Sequence, residues 1–91
     1  MNKVIKFSAD WCGPCKAMKP QFDKFQDSLK ESGVEMVDLD VDKNHEEASK
    51  YGVRSIPYTI FIKDDAVAKS LVGMQTTKQL TEAFNEVYTK N

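Results

Sequence analysis

The sequence predicts an α/β fold: one four-stranded mixed sheet with helices on both faces. Three observations predict it. Short segments of strand length alternate with segments whose apolar residues recur at spacings of three and four. The first two predicted strands are separated by a helix, which is typical of a right-handed parallel crossover. The last two are separated only by Lys63-Asp64-Asp65, which predicts an antiparallel hairpin. The predicted order is βαβαββα, with the first strand in the middle of the sheet.

The first half of the chain supplies the crossover. Residues Lys3–Ser8 (KVIKFS) form a β-branched and aromatic run that is long enough for one strand. The next helix has one apolar face, formed by Cys15, Met18, Phe22, Phe25 and Leu29. We expect Gly33 to end this helix, because glycine adopts the left-handed conformation without steric cost. Residues 34–41 alternate apolar and polar side chains, which predicts a half-buried strand.

The second half begins with a short helix. Asn44, followed by Glu47 three positions later, predicts a capping box, and Gly52 closes the helix. Residues 58–62 predict a strand that starts directly after a proline, and Ala66–Val72 returns as its partner.

The final helix follows a glycine break at Gly73. Thr76 and Gln79 have the spacing of a second capping box, so the helix should begin there. Its apolar face consists of Leu80, Ala83, Phe84 and Val87.

Length and composition exclude several classes of protein. The 91 residues, of which 41% are hydrophobic and 30% charged, predict one globular domain over residues 1–91 rather than disorder. The net charge of −1 provides no basic field for nucleic acid or an anionic membrane. No apolar run approaches a bilayer span, and residues 1–11 lack the pattern of a secretory signal. We therefore expect a cytoplasmic monomer.

Two cysteines, Cys12 and Cys15, lie three positions apart between the first strand and the first helix. A disulfide between them closes a very small loop and removes little entropy from the unfolded chain, so it is a poor structural staple. Zinc would need four ligands, and the chain adds only His45 in another segment, so no metal site is expected. The pattern favours redox chemistry, with one sulfur that attacks a foreign disulfide and a second that resolves the mixed disulfide.

The residues around the cysteines suit this chemistry. A helix that begins at Cys12 points its free N–H groups and positive dipole end at the sulfur, which stabilises a thiolate. Lys16 adds a positive charge, Gly13 leaves the exposed sulfur approachable, and Pro14 fixes the turn without needing a donor.

The segment WCGPCK (residues 11–16) is identical to the motif of thioredoxins. Further matches extend over nearly the whole chain from Val4: Phe7, Ala9, Pro20, Asp42, Tyr51-Gly52-Val53-Arg54, Ile56-Pro57 and Val72-Gly73. The chain therefore resembles a minimal member of the thioredoxin family. It lacks the strand and helix that precede the motif in ordinary thioredoxins.

The resemblance implies a role for each matching residue. Cys12 would attack, and Cys15 would be the buried resolving thiol. Ile56-Pro57 would be a cis peptide beside the sulfurs, although residue statistics alone favour trans, and the Ile56 backbone would pair with a substrate strand. An apolar substrate rim would consist of Trp11, Pro14, Ile56, Gly73 and Met74. The resemblance also implies disulfide-containing protein substrates, recharging by an NADPH-dependent thioredoxin reductase, and a redox-active disulfide with no bound cofactor.

One pair of residues departs from the family. Thioredoxins usually carry a buried Asp where this chain has Lys6, and a Lys where it has Asp38. We expect an ion pair with exchanged charges, because an unpaired charge beneath a sheet is costly. Lys6 would then hold Cys15 as a thiolate, and Asp38 would accept its proton through water. Alternatively, Lys6 snorkels to the edge and Asp38 stands alone in solvent.

Two other functions remain open from the sequence. A glutaredoxin-like reductant would use glutathione, but the Ile-Pro segment offers only Arg54 as a cation for a glutathione carboxylate. A binding subunit of a larger assembly would act independently of its thiols, and the intact WCGPC segment argues against that.

Overall fold

A computed structural model describes residues 1–88, and the end of the predicted domain at residue 91 lies outside them. Its elements are β1 (Lys3–Ser8), α1 (Gly13–Ser28), β2 (Glu35–Asp40), α2 (His45–Lys50), β3 (Tyr58–Lys63), β4 (Ala66–Val72) and α3 (Thr77–Tyr88). This confirms the predicted order βαβαββα. None of the helices within residues 1–88 is long and apolar enough to cross a bilayer.

The four strands form one mixed sheet in the order β2-β1-β3-β4. β1 lies inside the sheet, parallel to β2 and antiparallel to β3, as predicted. β3 and β4 form the expected hairpin. Its turn residues Asp64 and Asp65 have φ values of 53° and 69°, and positive φ at both positions matches the right-handed twist of the paired strands.

The two faces of the sheet are covered by different helices. Val4 of β1 belongs to a core shared with α1 and α3, whereas Ile5 and Phe7 face the side covered by α2. At the centre of the first core, the ring of Phe25 contacts three other aromatic rings: Phe22, Phe61 and Phe84. Because side chains alternate along a strand, Lys6 shares the face of Val4 and points toward α1. This alternation places a charged residue beneath the first helix.

α1 ends earlier than the sequence predicts. Its last residue is Ser28, and the N–H of Leu29 donates to the carbonyl of Gln26 over 3.1 Å, which tightens the final turn. Ser28 Oγ donates to the carbonyl of Phe25 at 2.9 Å. Gly33 does adopt a positive φ of 83°, but in the turn that leads into β2. The prediction that Gly33 ends the helix is therefore wrong.

The two predicted capping boxes have different outcomes. Asn44 precedes α2 but makes no side-chain capping bond, and its Nδ2 donates to the carbonyl of Asp40 at 2.9 Å. At α3, the N–H of Thr76 donates to Gln79 Oε1 at 2.8 Å, and the N–H of Gln79 donates to Thr76 Oγ1 at 3.1 Å. This reciprocal pair confirms the second capping box.

Candidate active site

The cysteine pair lies at the point where β1 ends and α1 begins. Cys12 and Cys15 are joined in a disulfide, with their Cα atoms 5.2 Å apart. Cys12 is the N-cap of α1, with extended backbone angles, and its Sγ accepts a hydrogen bond from the N–H of Cys15 at 3.2 Å. Pro14 occupies the first turn, where its missing N–H costs nothing. The sulfur of Cys12 thus receives a free N–H group at the positive end of a helix.

Both cysteines are nearly buried in the disulfide form. The exposed fraction is 6% for Cys12 and 2% for Cys15. The prediction of an exposed Cys12 is therefore wrong for the oxidised protein, because Ala9, Val41 and Ile56 pack around the disulfide. Cys12 is nevertheless the more accessible of the two cysteines.

One side of the disulfide is bordered by Trp11. Its side chain is 69% exposed, and its Nε1 donates to Asp42 Oδ2 at 2.8 Å. A tryptophan that is held by one hydrogen bond while its ring faces solvent offers a large apolar surface at a low entropy cost. Met74, which is 47% exposed, adds a second exposed apolar side chain after β4.

The other side is bordered by the segment before β3. The Ile56-Pro57 peptide bond is cis, and the carbonyl oxygen of Ile56 lies 4.0 Å from Cys12 Sγ. Gly73 has a φ of 86°, and its N–H donates to the carbonyl of Pro57 at 2.9 Å. This bond links the loop after β4 to the loop beside the disulfide, so the segments that carry the predicted rim residues meet here.

Behind the disulfide lies a polar cleft of about 560 Å³, with Lys6, Asp38 and Cys15 among its lining residues. Lys6 Nζ is 3.1 Å from Asp38 Oδ2, so the ion pair expected from the sequence is present and Lys6 does not snorkel away alone. The side chain of Lys6 is 1% exposed and that of Asp38 34% exposed. Ser8 Oγ donates to Asp38 Oδ1 at 2.9 Å.

A family model described as "Thioredoxin" matches residues 1–86. The chain belongs to the thioredoxin family. Thioredoxin homologues are protein-disulfide oxidoreductases, so the chain is an enzyme of the thiol–disulfide oxidoreductase class. The resemblance found from WCGPCK and the downstream matches is confirmed.

Individual relatives agree with this assignment. The thioredoxin of Bacillus subtilis (strain 168) is 39% identical over 83 residues, which are 91% of this chain and 79% of the relative. The thioredoxin of Listeria monocytogenes serovar 1/2a is 35% identical over 91% of this chain and 80% of its own length. The X-ray structure of Fasciola hepatica thioredoxin superposes with a TM-score of 0.84 at 34% identity, covering 93% of this chain and 79% of that one.

Sequence reasoning missed two polar residues of this thioredoxin-family site. Ser8 is the hydrogen-bond partner of Asp38, and its position in the sequence alone does not indicate this contact. Thr59, opposite Lys6 in the β1–β3 register, is fully buried, and its hydroxyl has no hydrogen-bond partner within residues 1–88. The available signal was the polar residue in the otherwise apolar run of β3, but the register was needed to place it beside Lys6.

The described part of the chain, residues 1–88, contains no group of three or more His, Cys, Asp or Glu side chains arranged to hold a metal ion. His45, the histidine considered as a zinc ligand, is the first residue of α2.

Proposed function

We propose that this protein reduces disulfides of other proteins by dithiol–disulfide exchange, with Cys12 as the nucleophile and Cys15 as the resolving thiol. The observation that carries the proposal is the hydrogen bond from the N–H of Cys15 to Cys12 Sγ at the start of α1. In the reduced protein this donor and the helix dipole favour a thiolate, which lowers the pKa of the Cys12 thiol below its ordinary value.

The exchange proceeds in two steps that balance electrons and protons. The Cys12 thiolate attacks one substrate sulfur, so a mixed disulfide forms, the substrate disulfide breaks and its other sulfur leaves as a thiolate. Cys15 loses its proton and attacks Cys12 Sγ, which forms the internal disulfide and releases the second substrate sulfur. Two electrons pass to the substrate, and its two sulfurs take up two protons. We assign Asp38, acting through water, as the acceptor of the Cys15 proton.

The substrate docks on the apolar rim. We assign this rim to Trp11, Pro14, Ile56, Gly73 and Met74. The exposed fractions of Trp11 and Met74 support this assignment. Covering exposed apolar side chains with a partner removes their surface from water and so stabilises the complex. The backbone of Ile56, whose carbonyl lies beside Cys12 Sγ, would pair with an extended substrate segment, and cis-Pro57 would lie against the sulfurs.

Neighbouring residues tune the cysteines. We assign this role to the Lys6–Asp38 pair behind Cys15, and to Gly13, Pro14 and Lys16 in the first turn of α1. Within the cell, an NADPH-dependent thioredoxin reductase would return electrons to the disulfide. The bacterial relatives support a cytoplasmic role for this electron carrier.

The test compares two variants that remove one sulfur each. In an insulin-reduction assay with dithiothreitol, we expect wild type to accelerate turbidity and both Cys12→Ser and Cys15→Ser to lose this activity. Cys15→Ser should still form a mixed disulfide with a substrate protein, whereas Cys12→Ser should not. Because the two variants differ only in which sulfur remains, the trapped adduct identifies the nucleophile.

Two results would contradict the proposal. Adduct formation by Cys12→Ser alone would reverse the assigned roles. A Cys12→Ser/Cys15→Ser double variant that fully supports the biological role would indicate a thiol-independent binding subunit instead.

A further inference from the structure

The buried ion pair behind the disulfide is asymmetric. The ammonium of Lys6 is 1% exposed and lies 5.4 Å above the ring of Phe22. The carboxylate of Asp38 is 34% exposed and also accepts a hydrogen bond from Ser8. Water therefore screens the negative partner more than the positive one, because a charge in the interior interacts more strongly with its neighbours than a solvated charge does. The less screened charge of the pair is therefore the ammonium, on its buried side.

Cys15 shares the cleft with this ammonium, so the balance of charge around it matters. The charged groups that line the cleft come from every element around it: Lys6 of β1, Asp10 before α1, Lys16 and Lys19 of α1, Asp38 and Asp40 of β2, and Lys43 after β2. Four are cations and three are anions. Lys19 is 65% exposed and lies 3.7 Å from Asp23, so solvent and a carboxylate reduce its effect. Lys6 is the buried member of the set.

We propose that Lys6 raises the reduction potential of the Cys12–Cys15 pair by stabilising the Cys15 thiolate of the reduced protein. The inference rests on the proposed function and adds the physical control of its driving force. The disulfide has no titratable proton, so a nearby cation stabilises the reduced form alone once Cys15 ionises. A more stable reduced form is a weaker electron donor. Lys6 is thus a positioning residue that makes the protein a milder reductant than the same fold without this charge.

The stoichiometry predicts a pH signature. With both sulfurs protonated, reduction of the disulfide takes up two electrons and two protons. With Cys12 as the thiolate that the proposed function requires, it takes up two electrons and one proton. Once Cys15 also ionises, it takes up two electrons and no proton. On this proposal Lys6 acts through the ionisation of Cys15. Lys6 therefore has no effect on the potential at low pH, where Cys15 is protonated in the reduced wild type and in the reduced variant alike. The effect grows as pH rises through the wild-type pKa and is complete above the pKa of a variant without the charge.

The size of the effect follows from the pKa change. A nearby opposite charge shifts a thiol pKa by about one unit or more. One unit corresponds to about a tenfold change in the equilibrium constant, which is about 30 mV for a two-electron couple.

The test equilibrates the intact protein with glutathione redox buffers from pH 5 to 9, followed by acid quenching, alkylation and mass analysis. We expect Lys6→Met, which keeps an unbranched apolar stem, to lower the equilibrium constant for reduction about tenfold at pH 9 and by less than twofold at pH 5. Asp38→Asn removes the counter-charge and should change the constant in the opposite direction at pH 9. Lys19→Met, which removes an exposed lysine of the same cleft, should change it by less than twofold.

The two ion-pair variants separate electrostatics from packing. A purely structural pair would be broken equally by Lys6→Met and Asp38→Asn, and both constants would move in the same direction, which would overturn the inference. Equal constants for wild type and Lys6→Met at all pH values would overturn it too. In both cases insulin reduction by wild type would leave the proposed function standing. A wild-type pair that never equilibrates with glutathione or insulin would overturn the proposed function, and this inference with it.

Discussion

Replacing Thr59 by valine should stabilise the protein, although Thr59 lies in its core. Its side chain is fully buried on the interior strand β3, and its hydroxyl has no partner within residues 1–88. A buried hydroxyl without a hydrogen bond costs about 1–3 kcal/mol by mutational comparison. Valine keeps the shape and the β-branched stiffness of threonine and removes this cost. We expect a gain of about 1 kcal/mol in the free energy of unfolding of the oxidised protein.

Urea unfolding followed by circular dichroism measures this change. With a slope of about 1–2 kcal/mol per molar urea, the midpoint should rise by about 0.5–1 M. Thr81→Val is the matched control, because Thr81 Oγ1 donates to the carbonyl of Thr77 at 2.8 Å and valine loses that bond. The control should lose about 0.5–1.5 kcal/mol. If Thr59→Val destabilises the protein as much as Thr81→Val does, the hydroxyl of Thr59 is paired and the reasoning fails.

Two further substitutions test the ends of α3 and α2. Tyr88→Phe should cost about 1 kcal/mol, because Tyr88 Oη lies 2.6 Å from the carbonyl of Ile62 and 3.1 Å from that of Lys3. Burial raises the pKa of Tyr88 to about 12. The stabilisation by its protonated hydroxyl is therefore complete below about pH 10 and is lost as pH rises through 12. An ultraviolet titration should show a step near pH 12 that Tyr88→Phe lacks, and an unchanged titration would contradict the burial argument. Gly52→Ala should cost about 1 kcal/mol in urea unfolding, because Gly52 has a φ of 64° after α2. Gly13→Ala, where an added Cβ meets no atom within 4 Å, should cost little, and equal losses would refute the conformational reason.

The sequence predicts local features well where both partners lie within one turn of chain. Thr76 and Gln79 make reciprocal hydrogen bonds across three residues. At Asn44 the same kind of pattern gives no side-chain cap, and the side-chain amide instead donates back to the carbonyl of Asp40. The predicted end of α1 at Gly33 is also wrong. The N–H of Leu29 donates to the carbonyl of Gln26, three residues earlier, and the helix ends before Gly33 is reached. Capping signals therefore show which bonds a helix end can make, and the surrounding chain determines which of them form.

The candidate site divides in the same way. The cysteines could be identified from their spacing, because both of them lie in one short segment of the sequence. The polar group behind them depends on the register of three strands, in which Lys6 lies between Asp38 on β2 and Thr59 on β3. The family pattern predicted the first neighbour. The sequence does not predict that Thr59 lies opposite Lys6, because this depends on the register between β1 and β3. A register shifted by one residue would turn Thr59 to the opposite face of the sheet.

The residues of β1 that face α1 belong to two different environments, an apolar core and the cleft of Cys15. Val4 belongs to the apolar core with Phe25 and α3, whereas Lys6 and Ser8 contact Asp38 beside the cleft of Cys15. A substitution of Val4 changes apolar packing that both redox states share, so it acts on unfolding in both states. On the proposal made above, a substitution of Lys6 would in addition change the balance between the two redox states, because only the reduced protein carries a thiolate. On that proposal, the charge behind Cys15 would adjust how readily the protein donates electrons, while the apolar residues of the same strand hold the fold.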